Sequence, residues 1–296
     1  QPTRVAWLID ALRAMPGSGI VYCLTVSAAE QVAEQLRGAG LEVRAYTGRT
    51  DTAEREQLEA DLKADRVKAL IATSALGMGF DKPDLTFVVH FGAPSSPVAY
   101  YQQVGRAGRA TDTADVLLLP GREDRAIWEY FATASMPDEE QARAVLGALA
   151  DHGGALSVAA LEPSVRIKRT SLELLLKVLA VDGAVERVGG GWRATGREWT
   201  YDAERYARVA EARRAEERLM LDYQTTDRCR MEFLARTLDD PTAAPCGRCD
   251  VCAGPWYPTG SDGAARERAE AALRRTGVPI EPRRMWPSGM DRLGVP

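Results

Sequence analysis

Four cysteines, Cys229, Cys246, Cys249 and Cys252, follow one another as C-x16-C-x2-C-x2-C in a chain that holds five cysteines in all. The two C-x2-C steps can bend neighbouring thiolates onto one ion at about 2.3 Å, and the longer gap brings the first ligand from a separate helix. Gly247, within Cys246-Gly247-Arg248-Cys249, supplies the backbone freedom such a knuckle needs. Zn2+ suits this ligand set, and four thiolates leave no open coordination position, so the metal would be structural rather than catalytic. The competing reading is a pair of disulfides, which four cysteines can form in three ways; without an export signal, tight C-x2-C pairs favour metal. The fifth thiol, Cys23, lies in the apolar run Ile20 to Leu24 and reads as inert strand filling.

Two further motifs carry groups suited to phosphate chemistry. The first is Ala72-Thr73-Ser74-Ala75-Leu76-Gly77-Met78-Gly79-Phe80-Asp81-Lys82-Pro83, directly after an apolar run. Gly77 and Gly79 let backbone approach a ligand closely, the hydroxyls can bond phosphate, and Asp81 can accept from a ribose hydroxyl. The second is Tyr100-Tyr101-Gln102-Gln103-Val104-Gly105-Arg106-Ala107-Gly108-Arg109. Its spacing predicts that Arg106 and Arg109 share a helix face, and forked guanidinium groups stabilise the charge of a transferring phosphoryl group. The bland alternative is a pair of surface salt bridges.

Together, in this order, the two blocks resemble motifs V and VI of superfamily 2 helicases, with wording closest to the RecQ family. Cys229-Arg230-Met231-Glu232-Phe233-Leu234 followed by Pro245-Cys246-Gly247-Arg248-Cys249-Asp250-Val251-Cys252 resembles the zinc motif of the same family. The resemblance covers residues 17–131 and 215–252. It implies a second RecA-like motor lobe whose arginines reach across a cleft to ATP and Mg2+ held mainly by a first, N-terminal lobe. Arg109 would be the arginine finger, Arg106 a second γ-phosphate contact, and Gln102 the link from nucleotide to motor closure. Asp81 and Gly79 would face the nucleotide, while Thr73 would touch the DNA backbone. Where the family has Asn-Ser-Arg this chain has Leu24-Thr25-Val26, so Thr25 would keep a phosphate contact, and the family's His-Ala-Gly-Leu becomes Thr47-Gly48-Arg49-Thr50. The sequence contains no G-x-x-x-x-G-K-[ST] cradle and no acidic box. With a first residue that is not methionine and an opening that reads as helix, it is expected to be a C-terminal fragment, inactive alone, of an ATP-dependent DNA helicase unwinding 3′ to 5′ in repair or recombination. The alternatives are a non-catalytic DNA- or partner-binding module that keeps the motor fold, and a zinc-dependent transcription regulator.

The elements that must position these groups follow from periodicity. Short β-branched runs at 20–24, 42–46, 67–72, 86–90 and 114–119 alternate with amphipathic stretches at 28–38, 52–64, 97–109 and 122–134, which predicts an α/β fold with a parallel sheet for residues 1–135. Ser27 is the expected cap of the first of these helices. Residues 136–199 predict three helices (139–151, 157–161, 168–181) and a hairpin around Gly189-Gly190-Gly191, which together spell a winged helix. Arg166, Lys168 and Arg169, with Arg187 and Arg193 on the wing, are its candidate DNA phosphate contacts. In most of the family the zinc module precedes the winged helix, whereas here it follows. Residues 200–256 predict a helical hairpin carrying the zinc knuckle, and 257–296 a linker and tail with a charged helix at 264–276 and a basic-aromatic stretch, Arg283 to Pro287.

Composition bounds the classes. At 296 residues, 45% hydrophobic and 27% charged, the chain can bury a sizeable core. No apolar run approaches the roughly 20 residues of a membrane helix, so a cytoplasmic protein without membrane contact is expected, nucleoid-associated if bacterial. The net charge of −4 excludes a uniformly basic coat, so single-stranded DNA or a duplex junction would be gripped by local basic faces.

Overall fold

The computed structural model describes residues 2–258 apart from 78 and 135–137, and beyond 258 only residues 263, 267, 270 and 271. The first lobe alternates helix and strand: α1 (Pro2–Ala14), β1 (Gly19–Cys23), α2 (Val26–Gly38), β2 (Val43–Tyr46), α3 (Thr52–Lys63), β3 (Ala69–Ala72), β4 (Phe87–Phe91), α4 (Pro97–Val104), β5 (Asp115–Leu119) and α5 (Asp124–Ala134). The strands form one parallel sheet in the order β2-β3-β1-β4-β5, with Gly19 beside both Ala69 and Phe87. The central strands β1, β3 and β4 are buried on both faces, which is why they read as continuous apolar runs.

Because successive strand residues point to opposite faces, the sheet organises two cores. Val21, Ile71, Phe87 and Val89 pack under α1 and α2, against Leu8, Leu12, Val32 and Leu36. Ile20, Tyr22, Leu70 and Val88 pack under α3 and α4, against Leu58, Leu62, Tyr100 and Val104. The second core also takes in Met220, Tyr223 and Leu234, which arrive more than 100 residues later in the chain.

A separate core serves the next segment, where α6 (Glu139–His152), α7 (Val158–Val165) and α8 (Arg169–Val181) pack against a hairpin of β6 (Val185–Val188) and β7 (Gly191–Ala194). Leu156 makes an isolated antiparallel bridge to Trp192, and Gly191 must be glycine here, since a Cβ would lie 2.1 Å from the Leu156 carbonyl oxygen. The remaining elements are α9 (Ala203–Thr225), α10 (Arg230–Thr237) and α11 (Asp250–Ala253). Trp199, Arg205 and Tyr206 all donate to the Asp182 carboxylate, pinning the start of α9 to the end of α8. Midway along α9, Arg213 donates to the Ala132 carbonyl of α5 at 3.2 Å.

Two local expectations are corrected. The cap of α2 is Thr25, not Ser27: the helix starts at Val26, and the extended Thr25 accepts from the Ala28 N–H at 3.1 Å. The helix expected over 97–109 stops at Val104, because Gly105 ends it and Gly108 adopts a left-handed φ of +76°. Arg106 and Arg109 therefore do not share a helix face. Of the expected tail helix at 264–276 only residues 267, 270 and 271 are described, each helical, and the stretch Arg283 to Pro287 lies outside the described residues.

Candidate functional site

The four sulfurs of Cys229, Cys246, Cys249 and Cys252 lie within 4.8 Å of one another, and Cys229 and Cys249 are 3.9 Å apart. A tetrahedron of sulfurs around zinc at about 2.3 Å has edges of about 3.8 Å, so the cluster has the dimensions of a ZnS4 site. All five cysteines are free thiols, and 3.9 Å is nearly twice the roughly 2.05 Å of a disulfide. Local folding aims the ligands. Cys229 and Cys249 are the residues preceding α10 and α11, Gly247 turns the knuckle at φ +71°, and backbone N–H groups already point at sulfur: Cys246 to Cys229 at 3.1 Å and Arg230 to Cys249 at 3.4 Å. Burial raises the Cys229 thiol, but hydrogen bonds led by the backbone N–H groups of Cys246 and Glu232 outweigh it and hold the group down at about 6. Cys252, hydrogen-bonded to Cys249, is pushed up to about 12.

Each of two ligands is followed by a residue that ties the module together. Arg230, after Cys229, forms a two-pronged ion pair with Asp250, after Cys249, at 3.1 Å on both prongs. This pair was not singled out from sequence, although its placement directly behind two ligands was a usable signal.

The phosphate-type motifs resolve into two edges of the sheet. Thr73 directly follows β3 and Thr25 comes two residues after β1, at the carboxyl ends of neighbouring strands. The Thr73 N–H pairs with the Tyr46 carbonyl, and its hydroxyl accepts from Ala75, so the turn after β3 is shaped by Thr73 itself. Thr25 borders a cleft also lined by Ser27, Gln31, Phe91 and Asp124. Asp81 and Arg109 sit elsewhere, beside the segment leading into β4, where Gly108 and Ala110 N–H groups bond the carbonyls of Leu85 and Pro83. There Arg109 pairs with Asp81 at 3.0 Å and folds back onto the Gly105 carbonyl at 2.9 Å. Arg106 turns inward instead: it is 8% exposed, donates to the Phe80 carbonyl at 2.9 Å, and its Nε has no partner. Among the described residues no carboxylate lies within ion-pair distance of this guanidinium.

Gln102 is exposed on α4. Gly79 is exposed, and a Cβ there would meet nothing within 4 Å, so backbone space in front of it is open. The basic residues of the inserted segment are exposed but not equally free: Arg166 caps α7 in a left-handed conformation, Lys168 precedes α8, and Arg169 is paired with Glu173 at 3.2 Å. On the hairpin, Arg193 is paired with Glu186.

Residues 3–111 match the family described as helicase conserved C-terminal domain. An ATP-dependent DNA helicase RecQ from Pasteurella multocida is 40% identical over 124 residues, which cover 42% of this chain and 20% of that protein. Over this lobe the chain is similar to RecQ helicases. The RecQ of a Synechocystis strain is 29% identical over 251 residues, 81% of this chain and 50% of that protein, so the RecQ likeness extends beyond the sheet lobe. This chain thus spans between a fifth and half the length of these two relatives. Among solved structures, the C-terminal domain of the DEAD-box protein Dbp5 is 28% identical with a TM-score of 0.37, covering 43% of this chain and 78% of that one.

Proposed function

We propose that this RecQ-family chain supplies the second motor lobe, a winged helix and a structural zinc module to an ATP-dependent DNA helicase. The carrying observation is Arg106. A guanidinium taken out of water without a carboxylate is costly, and an arriving phosphate is the partner whose charge and oxygen geometry would satisfy it. Arg109 stands three residues on at the surface, held by one exposed carboxylate that a more highly charged phosphate could displace. Arg109 is then the arginine finger, Arg106 the second γ-phosphate contact, and Asp81, released from Arg109, a ribose acceptor with Gly79 giving backbone access. Gln102 beside them would report nucleotide state to the lobe interface. The phosphate cradle and the Mg2+ ligands belong to the other lobe of such a motor.

DNA would run along the opposite edge, over Thr25 and Thr73 at the carboxyl ends of the neighbouring strands β1 and β3. The winged helix would add Arg166 and Lys168 as non-specific phosphate contacts, with Arg169 contributing only after release from Glu173. Zinc bound by the four cysteines would supply crosslinking, with no open position for chemistry. The test is Arg109→Ala in the full-length protein. ATP turnover should fall by about three to five orders of magnitude with a smaller change in nucleotide affinity; turnover at the wild-type rate refutes the role.

A further inference from the structure

Between the cysteine module and the arginine motif runs an unbroken series of aromatic contacts. Tyr22 of β1 stacks on His90 of β4 at 5.3 Å, and His90 meets Tyr100 of α4 at 4.7 Å. Tyr100 meets Tyr223 of α9 at 5.2 Å, and Tyr223 meets Phe233 of α10 at 5.8 Å. The hydroxyls of Tyr100 and Tyr223 face each other at 3.5 Å. The series continues into the metal module through Arg230, which lies over the Tyr223 ring, donates to the Tyr223 carbonyl and is clamped by Asp250. At its other end it reaches the motif through the His90 Nε2 contact to Gln103 at 2.7 Å, three residues ahead of Arg106.

The middle members are buried: His90 and Tyr100 are each 1% exposed, Tyr223 7%. Rings in a close-packed interior cannot shift one at a time, so displacement of Tyr223 is passed to Tyr100 and hence to α4. The position of Tyr223 depends in turn on the knuckle. Without a metal, the four thiols lose their common centre, and the Arg230–Asp250 tie behind two of them loses its fixed ends.

We infer that Tyr100 and Tyr223 are positioning residues that couple occupancy of the four-cysteine site to the placement of Arg106 and Arg109. The inference rests on the nucleotide role proposed above for those arginines. It has a reciprocal consequence, since a coupling between two binding events acts equally in both directions: nucleotide held by the arginines must slow the loss of metal.

The experiment measures zinc release from the full-length protein to a chelating dye, with and without a non-hydrolysable ATP analogue, while a fluorescent analogue scores nucleotide binding separately. In the wild type the analogue is expected to slow release about fivefold or more. Tyr223→Leu should keep one zinc and still bind the analogue but release metal at the same rate with or without it, whereas Tyr223→Phe, which keeps the ring, should retain the protection. Analogue that binds the wild type yet leaves the release rate unchanged overturns the coupling while sparing the nucleotide role. Full protection in a folded Tyr223→Leu protein overturns the assignment of the rings. Should Tyr223→Leu not fold, the two wild-type rates decide alone. Analogue that does not bind overturns the nucleotide role, and the coupling with it.

Discussion

His90 gives the sharpest quantitative test of the sheet core. It is one of two histidines in the chain, fully enclosed between the rings of Tyr22 and Tyr100, and burial pulls its pKa from the ordinary 6.5 down to about 4 against a weaker opposing contact from Gln103. No carboxylate contributes to the shift, and both flanking tyrosines are themselves held neutral by burial. The unfolded chain therefore takes up the proton first. Stability contributed by the neutral ring is fully present above pH 6.5 and is lost as pH falls from 6.5 towards 4, at about 1.4 kcal/mol per pH unit. By pH 5 the loss is about 2 kcal/mol, a sizeable part of the 5–15 kcal/mol typical of a domain. His90→Gln, which cannot take up a proton in this range, removes the term while offering an amide to Gln103. Urea unfolding of both proteins at pH 7, 6 and 5, followed by tryptophan fluorescence, should show the stability gap narrowing or reversing by about 2 kcal/mol towards pH 5, with carboxylates and cysteines cancelling in the difference. A gap that stays constant with pH refutes the account.

Cys229→Ser should remove most of one equivalent of zinc and destabilise α10 and α11 against proteolysis; elemental analysis showing no metal in the wild type, or mapped disulfides among the four cysteines, would contradict the site. Gly191→Ala should separate the Leu156 bridge and cost the inserted segment about 1–3 kcal/mol, read as faster hydrogen exchange over 139–194 with the sheet lobe unaffected. Replacing Arg166, Lys168 and Arg169 together by alanine should weaken duplex binding without sequence preference and reduce the salt slope by about one unit for each phosphate no longer neutralised. With Arg169 already engaged by Glu173, a reduction nearer two than three is expected, and an unchanged slope in a folded protein removes this segment from the DNA path.

The strands were legible because β1, β3 and β4 are buried on both faces and so appear as unbroken apolar runs between turn residues. The cysteine site was legible because metal ligands must come at spacings that backbone geometry permits. The paired arginines were legible as a motif but not as a geometry: periodicity through 97–109 suggested one helix, and only the conformation at Gly108 shows that Arg106 turns in and Arg109 out. The ring series was not legible at all, since Tyr100 and Tyr223 are 123 residues apart and no local pattern distinguishes a tyrosine that meets a distant tyrosine from one that fills a core. Likewise, the spacing of Asp182 and Arg205 conceals the pin that fixes α9.

That pin makes α9 a gauge. The inserted segment has its own core, and α9 joins it to the sheet lobe through 23 residues, about 34 Å of helix, which holds no buried residue between Tyr206 and Met220, is tied to α5 midway by Arg213, and carries alternating charges such as Glu211 and Arg218. A helix sets distance and heading together. One residue added within its exposed span would lengthen it by only about 1.5 Å yet swing the insert around the axis by about 100°. Seven added residues would return the heading to within about 20° but carry the insert about 10 Å further out. Length variation in this span is thus quantised: relatives that keep the insert facing the same way should differ there by whole pairs of turns, and those that differ by one or two residues should present another face.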